Sequence, residues 1–269
     1  MLSGGIDSIL VTAVLAETRP DTVAYTFSYL GERGAGAEEL ERAKSVCSAL
    51  GIEHRIICPG PGEAHDMLTE TVKALDHADA WEVLAGVVNR AVDQASTRDG
   101  LGDSAIFTGD AADILLFGDK YFSDYKDPVE YLNEVVAADV RDKFTRSRQI
   151  PDFYERLMGN HERHIKTWQT ELGFHTAARL RPEAIRGEGL SVDKAVERVA
   201  ACALGVPEEL TQATKSPMQK SSGAVDMATE AAAFMLKSKG GHDAYSDPVH
   251  DPDDMLAARL YFEVLRSIS

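Results

Sequence analysis

Residues 2–8 read Leu-Ser-Gly-Gly-Ile-Asp-Ser and lead straight into a stretch, 6–18, that sets Ile6, Ile9, Leu10, Ala13 and Val14 at helical spacing. Paired glycines at the mouth of a helix constrain this chain more than any other feature. Glycine lets the backbone pass close to a ligand and take positive φ without a side-chain clash. The helix behind it offers unpaired N–H groups and a partial positive charge, so the turn is a ready anion site. Ser3 and Ser8 add hydroxyl donors, and Asp7 offers oxygen ligation to a magnesium ion. No Gly-Lys-Ser/Thr follows the glycines, which sets the turn apart from the Walker arrangement. Capping alone explains one or two of these residues, not the run. Only Met1 and Leu2 precede the turn, so the strand expected there is a remnant.

Beyond the turn, strand and helix signals alternate. Thr22–Ser28 reads as a buried strand. Leu40, Ala43, Val46, Cys47 and Leu50 mark one face of a helix over 37–50, which Gly51 stops. Glu53–Cys58 reads as a third strand, 64–98 as one long helical stretch, and Asp103–Thr108 as the next strand. Such alternation means parallel pairing. The expected fold class is α/β, a doubly wound, mostly parallel sheet with a C-terminal helical extension. From residue 127 onward the pattern is almost wholly helical, with Val196–Leu210 as one helix and 254–268 as a last amphipathic one. Lys237–Asp253, rich in Gly, Asp, His and Pro, reads as an exposed loop. A length of 269 residues suits one domain.

Two later segments carry candidate chemistry. Phe107-Thr108-Gly109-Asp110-Ala111-Ala112-Asp113 closes a predicted strand, so its carboxylates stand at the sheet's carboxyl edge, where open α/β sheets bind ligands. Asp110 and Asp113 share a face if a helix begins there, and two carboxylates so placed suit a metal–pyrophosphate. The second segment, Lys215-Ser216-Pro217-Met218-Gln219-Lys220-Ser221-Ser222-Gly223, offers Lys215 to neutralise charge on a departing phosphate group. Gly31, Gly34 and Gly36 are expected to form a mobile loop over the ligand.

Composition narrows the partners. With 44 acidic and 28 basic residues the formal charge is -16, a surface that repels nucleic-acid backbone, so no nucleic acid is expected. Cys47, Cys58 and Cys202 form no CxxC pair, which fits a reducing, cytoplasmic setting and argues against zinc chemistry. No apolar run approaches about 18 residues, so no membrane span is expected, and the N-terminus lacks the pattern of a signal peptide. His161-Glu162-Arg163-His164 misses the HExxH spacing and reads as a solvated stretch of polar helix. The acids of 247–254, with His242 and His250, read as a flexible acidic loop.

The run Ser3–Ser8 resembles the signature of the PP-loop ATP pyrophosphatases, whose fold is called adenine nucleotide α-hydrolase-like. Within that superfamily, 107–118 is similar to the asparagine synthetase motif SGEGADE with its trailing apolar, phenylalanine and glycine residues. Asp113 matches the last aspartate of the motif, and Asp110 stands where the motif has its catalytic glutamate. Residues 38–56 resemble the same family, as does the late segment: a helix, Gly-Val-Pro-Glu-Glu, then Lys215-x-x-x-Gln219 and Ser222-Gly223. The lysine is shared with β-lactam synthetases. Similarity covers most of 2–123 and 190–225.

The resemblance implies ATP and Mg2+ as cofactors. Ser3, Gly4, Gly5 and Ser8 would hold phosphates, Asp7 and Asp113 magnesium, and Gly109 with the backbone near Phe27 would flank the adenosine. Lys215 would meet the transition-state charge, and Asp110 would take the glutamate's place. The implied reaction adenylates a small-molecule carboxylate, releases pyrophosphate, and forms an amide with ammonia or an amine as AMP leaves. Residues 1–123 would be the nucleotide-binding part of a single ligase domain spanning 1–269, and 124–269 the mainly helical part contributing Lys215. Full family enzymes carry a glutaminase domain ahead of this part. The sequence opens at the loop, so nitrogen is expected from free ammonia, a separate glutaminase subunit or an amine. Homo-oligomerisation is left open. Two rivals stand: another PP-loop enzyme such as an NAD synthetase, and a non-catalytic nucleotide-binding module, which Asp110 permits.

Overall fold

Parallel strands whose two faces alternate between helix layers set the architecture. The computed structural model describes residues 1–116, 150, 152–177, 179–212, 216–238 and 254–267. The first half runs α1 (Ile6–Thr18), β1 (Val23–Phe27), α2 (Ala37–Leu50), β2 (Glu53–Ile57), α3 (Pro61–Leu75), α4 (Ala80–Ser96), β3 (Ile106–Thr108) and α5 (Ala112–Leu115). After it come α6 (Phe153–Leu157), β4 (His164–Lys166), α7 (Glu171–Ala177), α8 (Pro182–Arg186) and α9 (Ala195–Ala203). The chain closes with α10 (Glu208–Thr211), α11 (Met218–Ser221), α12 (Ala224–Ser238) and α13 (Asp254–Ser267).

β1 pairs β2 in parallel, from Val23 opposite Glu53 to Phe27 opposite Ile57, and β3 pairs β4 in parallel with Ile106 opposite His164. Residues 1 and 2 join the two pairs. Leu2 N donates to Tyr25 O at 2.8 Å, Thr26 Oγ1 donates to Leu2 O at 2.8 Å, and the Met1 nitrogen donates to Phe107 O at 2.7 Å. The order across is therefore β2, β1, residues 1–2, β3, β4. The remnant strand expected from the sequence is two residues long and is held on both sides.

Side-chain alternation along β1 sorts the helices. Ala24 packs with Leu2, Ile9, Val46, Cys47 and Ala201, which brings α1, α2 and α9 to one face. Tyr25 meets Val92, Ala95 and Ile106, and Phe27 meets Leu68, Val83, Leu84 and Val88, so α3 and α4 cover the other. Met227 of α12 and Phe262 of α13 belong to that second core, so the helical extension completes it. Helices on both faces of parallel strands make the fold doubly wound α/β, as the sequence implied.

Several local readings need correction. The stretch 64–98 is two helices, because Asp76 takes a left-handed φ of 48° and Asp79 caps α4, accepting from Trp81 N at 3.0 Å and Glu82 N at 3.2 Å. Val196–Leu210 breaks at Gly205, whose φ of 90° ends α9 before α10 begins. The supposedly helical second half contains β4. His161–Arg163 is a single 3-10 turn in which Glu162 is exposed, but Arg163 and the following His164 are buried. Buried Arg163 bonds Asp93 Oδ1 at 2.8 Å, Ser96 Oγ at 2.7 Å and the Leu101 carbonyl at 2.7 Å, while His164 Nε2 lies 3.2 Å from Asn89 Oδ1. The Gly31–Gly36 loop is anchored: Ser28 Oγ donates to Gly36 O at 3.0 Å and Glu32 N to Glu230 Oε1 at 2.7 Å. Val14, set at helical spacing with Ile6, Ile9, Leu10 and Ala13, is 44% exposed while those four are buried. Residues 239–253, most of the predicted loop, lie outside the described residues. Cys47, Cys58 and Cys202 are free thiols. Among the described residues no helix is long and apolar enough to cross a membrane.

Two phenylalanines test the role of the late helices. Phe262 on α13 is 0% exposed and Phe234 on α12 is 75% exposed. Phe262→Ala should cost about 3–5 kcal/mol in urea unfolding, and Phe234→Ala no more than about 0.5 kcal/mol. Equal small losses would show that α13 is not part of the core.

Candidate active site

In a doubly wound sheet, ligands bind beyond the carboxyl ends of the strands where the strand order reverses. Here the chain moves from residues 1–2 to β1 and β2 on one side, then crosses back to β3 on the other. The reversal therefore falls between Leu2 and β3. A cavity opens at that point, lined by Ser3, Gly5, Asp7 and Ser8 from the first turn and by Gly109, Asp110 and Asp113 from the end of β3.

The turn is shaped by its own bonds. Gly4 takes φ 78°, and a Cβ there would lie 2.8 Å from the Glu39 carbonyl oxygen, so only glycine fits. Ser3 N donates to Ser8 Oγ at 3.1 Å, and Ser8 Oγ donates to Gly5 O at 2.9 Å. Gly5, the N-cap of α1, has no side chain with which to cap the first amides of that helix. Gly109 presses on the same turn: a Cβ there would come within 2.8 Å of the Asp7 carbonyl carbon and the Ser8 nitrogen. β3 and α1 can meet this closely only through glycine.

Across the cavity stands Lys194, at the residue before α9, in a left-handed conformation with φ 51° and 1% exposed. Its ammonium is bonded to Asp7 Oδ1 and lies 2.5 Å from Asp113 Oδ1. Burial opposes the ammonium, yet Asp7, Asp113 and Glu197 outweigh it and raise its pKa, so Lys194 stays charged. Burial raises the Asp7 carboxyl, Lys194 pulls it down and Asp113 pushes it up again, leaving it above the usual range. Glu197, one turn into α9 and 1% exposed, is raised well above that range by burial and by the charge of Asp7, with which it shares a hydrogen bond. Because one ammonium reaches both Asp7 and Asp113, a single cation at that point meets both carboxylates. An all-oxygen pair of that kind suits a hard ion such as magnesium. Among the described residues no three acid, histidine or cysteine side chains are already grouped at metal-ligand spacing.

Residues 1–171 of the 269 match the asparagine synthase family. The chain belongs to that family. It is also 42% identical over 57 residues to the 7-cyano-7-deazaguanine synthase of Methanocaldococcus jannaschii, and 46% identical over 57 residues to that of Methanosarcina mazei. Each of those stretches covers 21% of this chain and 24% of the relative. The chain thus spans about a quarter of the length of the curated relatives it matches.

Of the residues singled out for an asparagine synthase site, Ser3, Gly5, Asp7, Ser8, Gly109, Asp110 and Asp113 line one cavity, and Gly4 shapes the turn beneath it. Asp110 and Asp113 do not share a helix face. Ala111 takes φ 71°, so α5 begins after Asp110, whose carboxylate accepts from Tyr154 OH at 3.0 Å and not from Lys194. Phe27 is buried in the core against α3 and α4 and does not line the cavity. Lys215 lies outside the described residues, and Ser216, Pro217 and Met218, directly after it, line the cavity. Sequence reasoning missed Lys194, Glu197 and Glu39. No local signal marks the first two: Lys194 stands before a helix and Glu197 in its first turn, places where charged residues ordinarily face water.

Glu39 of α2 also lines the cavity, and burial pushes its carboxyl up to about 7 against the pull of Ser221 and Arg42. The folded chain therefore keeps a proton that the unfolded chain releases near 4.5. Stability from this group is complete below that value and is lost as pH rises to 7. Glu39→Gln should flatten the parent's decline in urea midpoint across pH 4.5 to 7; an unaltered slope would contradict the burial of this carboxyl.

Proposed function

We propose that this chain is an ATP-dependent ligase that cleaves ATP to AMP and pyrophosphate, adenylates a small-molecule carboxylate and passes it to ammonia or an amine. Membership of the asparagine synthase family supports the use of ATP. The observation that carries the reading is the convergence of Asp7 and Asp113 on one positive charge beside the uncapped N-terminus of α1. Phosphate needs both: amides with a positive end dipole for its oxygens and carboxylates for its counter-ion.

In this reading the amides from Gly4 to Ser8 grip the departing pyrophosphate, and the Ser3 and Ser8 hydroxyls, already bonded to each other, keep the turn rigid. Asp7 and Asp113 would hold the magnesium ion, which would supply neutralising charge to the departing pyrophosphate. Lys215 meets the negative charge that builds on the α-phosphate as the carboxylate attacks. Asp110, oriented by Tyr154, faces the cavity from the end of β3 and positions the incoming nitrogen. The acid and the nitrogen donor, whether free ammonia, a separate glutaminase subunit's product or an amine, are set by residues around this crevice.

A panel of carboxylic acids with ATP, magnesium and ammonium, read for pyrophosphate and AMP, tests the reading. At least one acid should give the two products in equal amounts, and Asp113→Asn should lower that rate about a hundredfold or more. ADP and phosphate as products, or ATP cleavage indifferent to any acid, would overturn it.

A further inference from the structure

Lys194 is more deeply buried than a surface ion pair requires, and its backbone is in a conformation that non-glycine residues avoid. It is held there by two acids that come from different elements, Asp7 from α1 and Asp113 from α5. A third acid, Glu197, closes the set: among the described residues no N–H or hydroxyl group reaches either of its carboxyl oxygens, and it lies against Asp7. Three acids thus surround one ammonium at the mouth of a phosphate turn. Lys194 stands where the divalent cation of the proposed reaction would have to be.

We propose that Lys194 is a built-in counter-cation that holds the magnesium position of the free protein, so that metal binds only together with nucleotide. The inference rests on the proposed function, in which Asp7 and Asp113 are the metal's ligands. An ammonium seated on both carboxylates opposes a divalent ion on the same pair, because like charges repel at contact. Two protein carboxylates also leave most of a hexacoordinate shell to be filled by phosphate and water. Nucleotide removes both obstacles. Its phosphates supply oxygen ligands to the metal and an anionic acceptor for the displaced ammonium, which already lines the same cavity as the turn. Free metal is thereby kept out until the substrate that needs it is present.

Manganese titration followed by electron paramagnetic resonance, with no turnover, tests this on the intact chain. The parent should bind manganese weakly alone and tightly with a non-hydrolysable ATP analogue. Lys194→Met should gain nucleotide-free affinity by about tenfold or more, since the competing state is gone. If Lys194→Met unfolds through repulsion of its acids, Lys194→Met with Glu197→Gln relieves that repulsion and should show the same gain. Tight manganese binding by the parent without nucleotide, or no gain in the folded variant, overturns the inference while leaving the ligase reading intact. Absence of manganese binding even with the analogue would overturn both.

Discussion

Two ionised carboxylates from separate elements repel each other in a crevice unless a positive charge lies between them. Asp7 opens α1, Asp113 follows β3, and the ammonium of Lys194, just ahead of α9, reaches both. Lys194 is the buried member, so removing its acids would leave an ammonium without compensation away from water. The interaction ties the phosphate turn, the far strand and the second half of the chain to one point. It also makes that point a place where positive charge is required.

The sheet explains why the point lies where it does. Residues 1–2 are flanked by β1 on one side and β3 on the other, and the helices that follow lie on opposite faces. The strand ends on either side of the reversal diverge into a crevice, and α1 aims its first amides into it. Gly4 lets the turn lie against the backbone of α2 at Glu39, and Gly109 lets the end of β3 press on the backbone at the start of α1. Tertiary structure adds what one turn cannot: Glu39 from α2, Lys194 beside α9 and Ser216 to Met218 ahead of and in α11 line the crevice, and Glu197 of α9 bonds Asp7.

Much of this was legible from local signals. The turn, α2 with its Gly51 stop, β1 and the apolar close of the chain follow from glycine chemistry and periodicity, and they fall where those signals place them. Asp79 and Gly205 are ordinary break signals inside stretches that periodicity alone reads as continuous. β4 was not legible: three residues, two of them half-buried, form a strand only because β3 offers an edge and Arg163 anchors the end of α4. Lys194 was harder still. A lysine before a helix reads as solvated unless its partners are known, and those partners lie 187 residues away at Asp7 and near the middle of the chain at Asp113. Asp110 shows the converse. Sequence spacing paired it with Asp113, and a left-handed Ala111 turns it towards Tyr154.

A crystal grown with a non-hydrolysable ATP analogue and manganese, measured for the anomalous signal of the metal, bears most directly on the convergence of acids and phosphates. The metal peak should lie between the carboxylates of Asp7 and Asp113, with the terminal phosphates against residues 3–8 and Lys194 turned onto them. A nucleotide seated instead in the groove between Arg55 and Arg98, or a metal away from both carboxylates, would contradict the account.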